Sequence, residues 1–187
     1  MDIDIDLADR DQLLKLVKHI PASIDKQGTL VKHNTGVYFQ FLPWDWNSNL
    51  STVDYDSAEQ QQYFKIDLLN VHLYKQVKSE AHLNALLEQP PMWELLEHED
   101  VVSQLTHLNG NFDVVNKLKP TGILELAACL AIIRPSKRYL LGETWSKIFE
   151  EVWTAPADGA YYFKKAHALA YAHLVVVHMN LLVEQST

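Results

Sequence analysis

The residues with the clearest capacity for chemistry stand at the start of the chain. Asp2, Asp4 and Asp6 alternate with Ile3, Ile5 and Leu7. Successive side chains on a strand point to opposite faces, so this pattern lines one face with carboxylates and the other with apolar groups. Stability does not call for that row, because like charges repel and Asp is a poor strand former. Divalent metal does call for it. Mg²⁺ takes carboxylate, phosphate and water oxygens, and two-metal phosphoryl transfer needs carboxylates close together. Taken alone, the pattern fits a solvated acidic segment equally well.

A second segment, residues 63–71, adds one lysine and one aspartate to a short apolar run. As a strand it places Phe64, Ile66 and Leu68 on one face and Lys65, Asp67 and Leu69 on the other. Beside the first strand it would bring Asp67 next to Asp4 and Asp6, with Lys65 projecting alongside. Three carboxylates and a lysine suit two metals and a triphosphate. The plainer alternatives are a strand-end charge for Asp67 and an edge-strand lysine for Lys65.

These residues resemble the palm of the alpha subunit of bacterial DNA polymerase III, the C-family replicative polymerases. Residues 1–17 are similar to the family's aspartate strand and following helix, and residues 64–70 to the segment with its third aspartate. The resemblance implies that Asp4, Asp6 and Asp67 are the catalytic, metal-binding carboxylates. Asp2 matches a leading acid that is not a principal ligand, and Lys65 matches the lysine facing the nucleotide phosphates. Residues 32–39 carry His33 and Gly36 in matching places, and residues 51–67 resemble the approach to the third aspartate. Residues 115–136, which include Arg134-Pro135, look like part of the fingers. Residues 163–182 are similar to a family helix, with Lys165, His167 and Tyr171 in place. Lys65, Lys165 and Arg134 are thereby implied to bind nucleotide.

The departures from the family are large. The chain is far shorter, and the interval from Asp6 to Asp67 leaves no room for the family's thumb. The upstream phosphate-binding loop, the phosphoesterase-like domain, the double-arginine stretch of the fingers and a clamp-binding segment are not expected. The fold class implied is α+β, a small mainly antiparallel nucleotidyltransferase-like palm sheet over 1–70 followed by a helical, reduced fingers-like region over 71–187. The implied activity is DNA synthesis with Mg²⁺ or Mn²⁺ from deoxynucleoside triphosphates on primer-template DNA. That activity is expected to depend on replication proteins or a complementary polymerase chain. Self-association is one way to cover surface that the family covers with other domains. The alternative is a non-catalytic accessory or decoy protein that binds replication components.

Bulk properties set bounds on these readings. The chain has 187 residues, a formal charge of −8 and 48% apolar residues. An acidic balance counts against strong independent duplex binding, since phosphate contacts come from Lys and Arg. Cys129, the one cysteine, sits in an apolar run and reads as a core residue, which fits a reducing cytoplasm. No signal peptide is visible in the acidic start. His173, His178 and Asn180 interrupt the most apolar stretch, residues 170–183, which argues against a membrane span. The nine histidines lack zinc-site spacing. Trp44 and Trp46 could stack on bases, although core contact is the commoner use of such rings.

Several elements must position these groups. The expected order is a strand over 2–7, a helix over 9–19 stopped by Pro21, a strand over 35–42, and strands over 51–55 and 62–69. Helices follow over 71–87, 92–97, 100–107, 111–117, 121–133, 142–153 and 160–183.

Overall fold

The structure is a computed structural model that describes residues 3–186, so Asp2 lies outside the described residues. The fold is α+β, in two compact units, Met1–Val77 and Lys78–Thr187.

The first unit holds β1 (Ile3–Leu7), α1 (Arg10–Leu16), β2 (Ile20–Lys26), β3 (Thr29–Tyr38), β4 (Trp44–Asp45), β5 (Leu50–Ser51), α2 (Tyr55–Gln60) and β6 (Ile66–Asn70). Four strands form one sheet in the order β1-β6-β3-β2, and β4 and β5 form a small ribbon. The sheet is mixed: β1 runs parallel to β6, while β6–β3 and β3–β2 are antiparallel. Antiparallel pairs are in the majority, but the β1–β6 pair that carries the acids is parallel.

Asp9 caps α1 by accepting the Asp11 N–H at 3.1 Å. The helix ends at Leu16, short of the expected residue 19. Pro21 lies inside β2, opposite Val37, instead of stopping the helix. An edge strand tolerates the missing N–H. The β2–β3 hairpin was not legible as two strands. Its turn is Gln27-Gly28, and both residues have positive φ, 56° and 84°. Such a primed turn matches the twist of the strands it joins.

Asp54 converts the expected strand over 51–55 into a cap. Its Oδ1 accepts the N–H groups of Asp56 and Ser57 at 3.1 and 3.0 Å and starts α2. Ala22, Tyr38, Leu42 and Ala58 form a buried cluster with Ile20, Val53 and Tyr63 packed against it. Ile5 is 39% exposed, so the apolar face of β1 is only partly covered, as befits an edge strand.

The second unit is helical: α3 (Glu80–Glu88), α4 (Glu99–Val102), α5 (Phe112–Leu118), α6 (Ile123–Ile132), α7 (Trp145–Glu151) and α8 (Lys165–Ser186). Short 3-10 turns cover 93–97 and 135–140. Ser79 and Thr144 cap α3 and α7, which start later than the helical pattern suggests. Every residue of α6 from Leu126 to Ile132 is buried. Cys129 is among them, and burial pushes its thiol far above the usual range.

Helix α8 is long and apolar enough to cross a membrane by length and composition alone. Its Ala168, Ala172, Val175, Val176 and Met179 belong to the core of the second unit. Two of the polar residues that interrupt it, His178 and Asn180, bind backbone groups packed beside it. Asn180 Nδ2 donates to the carbonyls of Leu86 and Gln89 at the end of α3, at 2.8 and 2.9 Å. His178 Nδ1 accepts the Thr106 N–H at 3.1 Å, and burial holds this imidazole below its ordinary pKa.

Candidate active site

Asp4 of β1 and Asp67 of β6 are register partners. Paired residues of parallel strands project to the same face, with strands about 4.8 Å apart. Asp6 follows Asp4 on that face, opposite Leu69. Lys65 precedes Asp67 by two residues and shares its face. The three sequence-derived acids and the lysine thus occupy one side of two adjacent strands.

The acids fall into two electrostatic sets. Burial, then the negative charge of Asp4, raises the pKa of Asp6 above the usual carboxylate value. Asp6 in turn helps burial raise the pKa of Tyr74. Asp67 behaves in the opposite way. Burial alone would raise its pKa, but hydrogen bonds from Lys65 and Thr35 and the charges of Lys65 and His33 hold it below the usual value. Lys65 Nζ pairs with Asp67 Oδ2, and both side chains are largely buried, at 14% and 13% exposure. Thr35 Oγ1 donates to Asp67 Oδ1 at 2.7 Å.

A bulge in β3 delivers Thr35 and His33 to this point. Between the Pro21–Val37 and Ser23–Lys32 pairs, Ala22 alone faces the segment His33-Asn34-Thr35-Gly36. Bulges re-aim side chains beside functional sites. His33 Nδ1 closes the segment by accepting the N–H groups of Gly36 at 2.8 Å and Thr35 at 3.2 Å. An atom that accepts two N–H bonds carries no proton, so His33 is neutral with its proton on Nε2. Its Nδ1 is 3.6 Å from Asp67 Oδ1, but this is not an ion pair. Burial, Lys65 and Arg10 outweigh Asp67 and hold the His33 pKa below 6.5.

Gly36 pairs with Asp67 across β3 and β6. A Cβ at this position would lie 2.8 Å from Lys65 Cδ and 3.0 Å from His33 Nδ1. The absent side chain is what lets the lysine stem cross the strand. Tyr55 of α2 flanks the group, its ring 5.5 Å from His33 and 5.8 Å from Lys65 Nζ. Arg10 ties α1 to the same frame, donating to the carbonyls of Asn34 at 2.6 Å and Leu68 at 3.1 Å. Thr35, Tyr55 and Arg10 were not singled out from sequence. Thr35 depends on the bulge, which no local pattern announces.

Arg134 and Lys165 belong to the second unit. Lys165 is exposed at the start of α8. Arg134 lies over the Phe163 ring at 5.1 Å, and Phe163 stacks on Tyr171 at 5.3 Å. The Arg134 Nε is buried and finds no hydrogen-bond partner among the described residues. Burial and the Arg134 charge hold His107 below its ordinary pKa, and its ring lies 4.2 Å from Tyr171.

Asp4, Asp6 and Asp67 offer the hard oxygens that a divalent cation takes. The Asp4–Asp6 repulsion and the lysine held on Asp67 both mark a face where positive charge is favoured. Among the described residues, no group of three or more acids, histidines or cysteines is already drawn together as a cation cage. Lys65 fills the place on Asp67 that a cation would take. No family model, curated protein or solved structure matches the chain.

Proposed function

We propose that the first unit is a reduced nucleotidyltransferase palm, similar to that of the C-family DNA polymerases. In this reading Asp4, Asp6 and Asp67 hold Mg²⁺ or Mn²⁺ for DNA synthesis. The observation that carries it is the register pairing of Asp4 with Asp67, with Asp6 and Lys65 on the same face. Bound divalent metal would activate a primer hydroxyl and offset charge on the phosphates. Lys65 would leave Asp67 and neutralise the phosphates of the incoming nucleotide. Thr35 would keep Asp67 oriented when the lysine departs, and neutral His33 would hold the bulge without adding charge. Replication proteins or a complementary chain would supply the grip on duplex DNA that a net charge of −8 does not favour.

The closed Lys65–Asp67 pair favours a second reading, in which the chain is a non-catalytic accessory or decoy whose acids are internally neutralised. Primer extension separates the two. The purified chain is assayed with Mg²⁺ or Mn²⁺, alone and with replication proteins, against Asp67→Ala. Nucleotide incorporation that requires Asp67 supports the polymerase reading. Its absence under every condition supports the binding protein.

A further inference from the structure

A groove of about 530 Å³ opens in the first unit, lined by Val17, Lys18, His19 and Ile20 on one side and by Tyr38 to Phe41 and Trp44 on the other. Phe41 is 84% exposed, and Phe39 and Trp44 are each 42% exposed. Single exposed rings are ordinary. Three in one short segment make a patch of the kind that marks a binding surface.

The segment is held in place, which sets these rings apart from a loose loop. Gln40 Oε1 accepts the Phe64 N–H at 2.8 Å. Leu42 is fully buried. The Pro43 carbonyl accepts the Thr52 N–H at 3.0 Å, and Trp44 pairs with Ser51. The chain is pinned at Gln40, Leu42 and Pro43, so Phe41 between them and Phe39 and Trp44 beside them are presented from a fixed backbone. Rings fixed in this way lose little entropy when a flat ligand stacks on them.

The opposite wall selects the ligand. Its charged side chain is Lys18, and no carboxylate lines the groove, although acids outnumber bases in the chain by 24 to 16. His19 Nδ1 donates to the Val17 carbonyl at 3.0 Å, which leaves Nε2 for a ligand. Fixed aromatic faces opposite a basic edge match bases and phosphates together. Single-strand binders combine the same two components.

We propose that this groove binds single-stranded nucleic acid, with bases stacked on Phe39, Phe41 and Trp44 and a phosphate against Lys18. The inference goes beyond the nucleotidyltransferase reading and does not depend on metal or on Asp67. A proline-rich peptide would also use aromatic rings, but it gives Lys18 no partner.

The test is fluorescence anisotropy with labelled dT12 and the full chain, in low salt with EDTA. The expected result is saturable binding, weakened about tenfold by Phe41→Ala and by Trp44→Ala, since stacking contributes on that order per base. Lys18→Ala should reduce the salt dependence by about one phosphate contact. Because the assay contains EDTA and so excludes metal, loss of the catalytic reading leaves this one standing. Phe41 is exposed enough that its alanine variant folds, and circular dichroism checks this. No binding of dT12, or equal binding by Phe41→Ala, overturns the proposal. So does binding of a labelled proline-rich peptide with none of dT12.

Discussion

Lys65, just ahead of β6, and Asp67 within it neutralise each other on the face where Asp4 stands opposite Asp67. The ion pair is largely buried and Thr35 satisfies the second carboxylate oxygen, so the cost of breaking it is asymmetric. Lys65→Met should destabilise the chain by about 1–2 kcal/mol, because Asp67 keeps the Thr35 bond. Asp67→Leu should cost about 3 kcal/mol by leaving a buried ammonium unpaired. The double variant should cost less than the sum of the two. Urea unfolding of the three variants measures the coupling.

The neutral His33 predicts acid sensitivity. Its folded pKa lies below the ordinary 6.5, so the unfolded chain takes up a proton first as pH falls. Stability that is complete above about pH 6.5 is therefore lost as pH falls from there toward the folded value. Asp67 adds a second loss, which begins near its ordinary 3.8 and continues as pH falls through its lowered folded value. His33→Asn keeps an acceptor for the Gly36 N–H and removes the titration. Denaturant midpoints between pH 8 and 5 should fall less steeply in that variant. An unchanged slope would mean that His33 titrates normally.

Gly36 makes a packing prediction. Gly36→Ala should cost about 1–3 kcal/mol, the range for overpacking, because its Cβ meets Lys65 Cδ, His33 Nδ1 and Ala22 Cβ. Combining it with Lys65→Ala removes the nearest atom and should recover part of that loss. A thermal melt of the single and double variants reads this out. Full additivity would place Lys65 elsewhere.

The acids and the lysine were legible in the sequence because strand geometry fixes which side chains share a face: residues 2–7 alternate strictly, and Lys65 and Asp67 stand two apart in a short apolar run. The direction of their pairing was not legible, since nothing local to Ile3–Leu7 or Ile66–Asn70 distinguishes a parallel neighbour from an antiparallel one. The β2–β3 hairpin escaped because its turn uses Gln27, a residue that seldom takes positive φ, ahead of Gly28. Thr35 and His33 reach Asp67 only through the bulge, a product of how β3 is shared between β2 and β6. In the second unit, Asn180 and His178 looked like interruptions of an apolar helix. They are side-chain partners for backbone groups far away in sequence.

On the proposed reading, Asp4, Asp6 and Asp67 act as one cation-binding face. Mn²⁺ titration followed by electron paramagnetic resonance tests it most directly, on the wild type, on Asp4→Asn with Asp6→Asn, and on Asp67→Asn. The wild type should bind Mn²⁺ and gain melting temperature as it does so, since a ligand of the folded state alone stabilises it. The Asp4/Asp6 variant should be more stable without metal, because the repulsion that raises the Asp6 pKa is gone. Both variants should lose the Mn²⁺ signal change and the thermal shift. Binding of equal strength in all three proteins would mean that these carboxylates do not hold the cation.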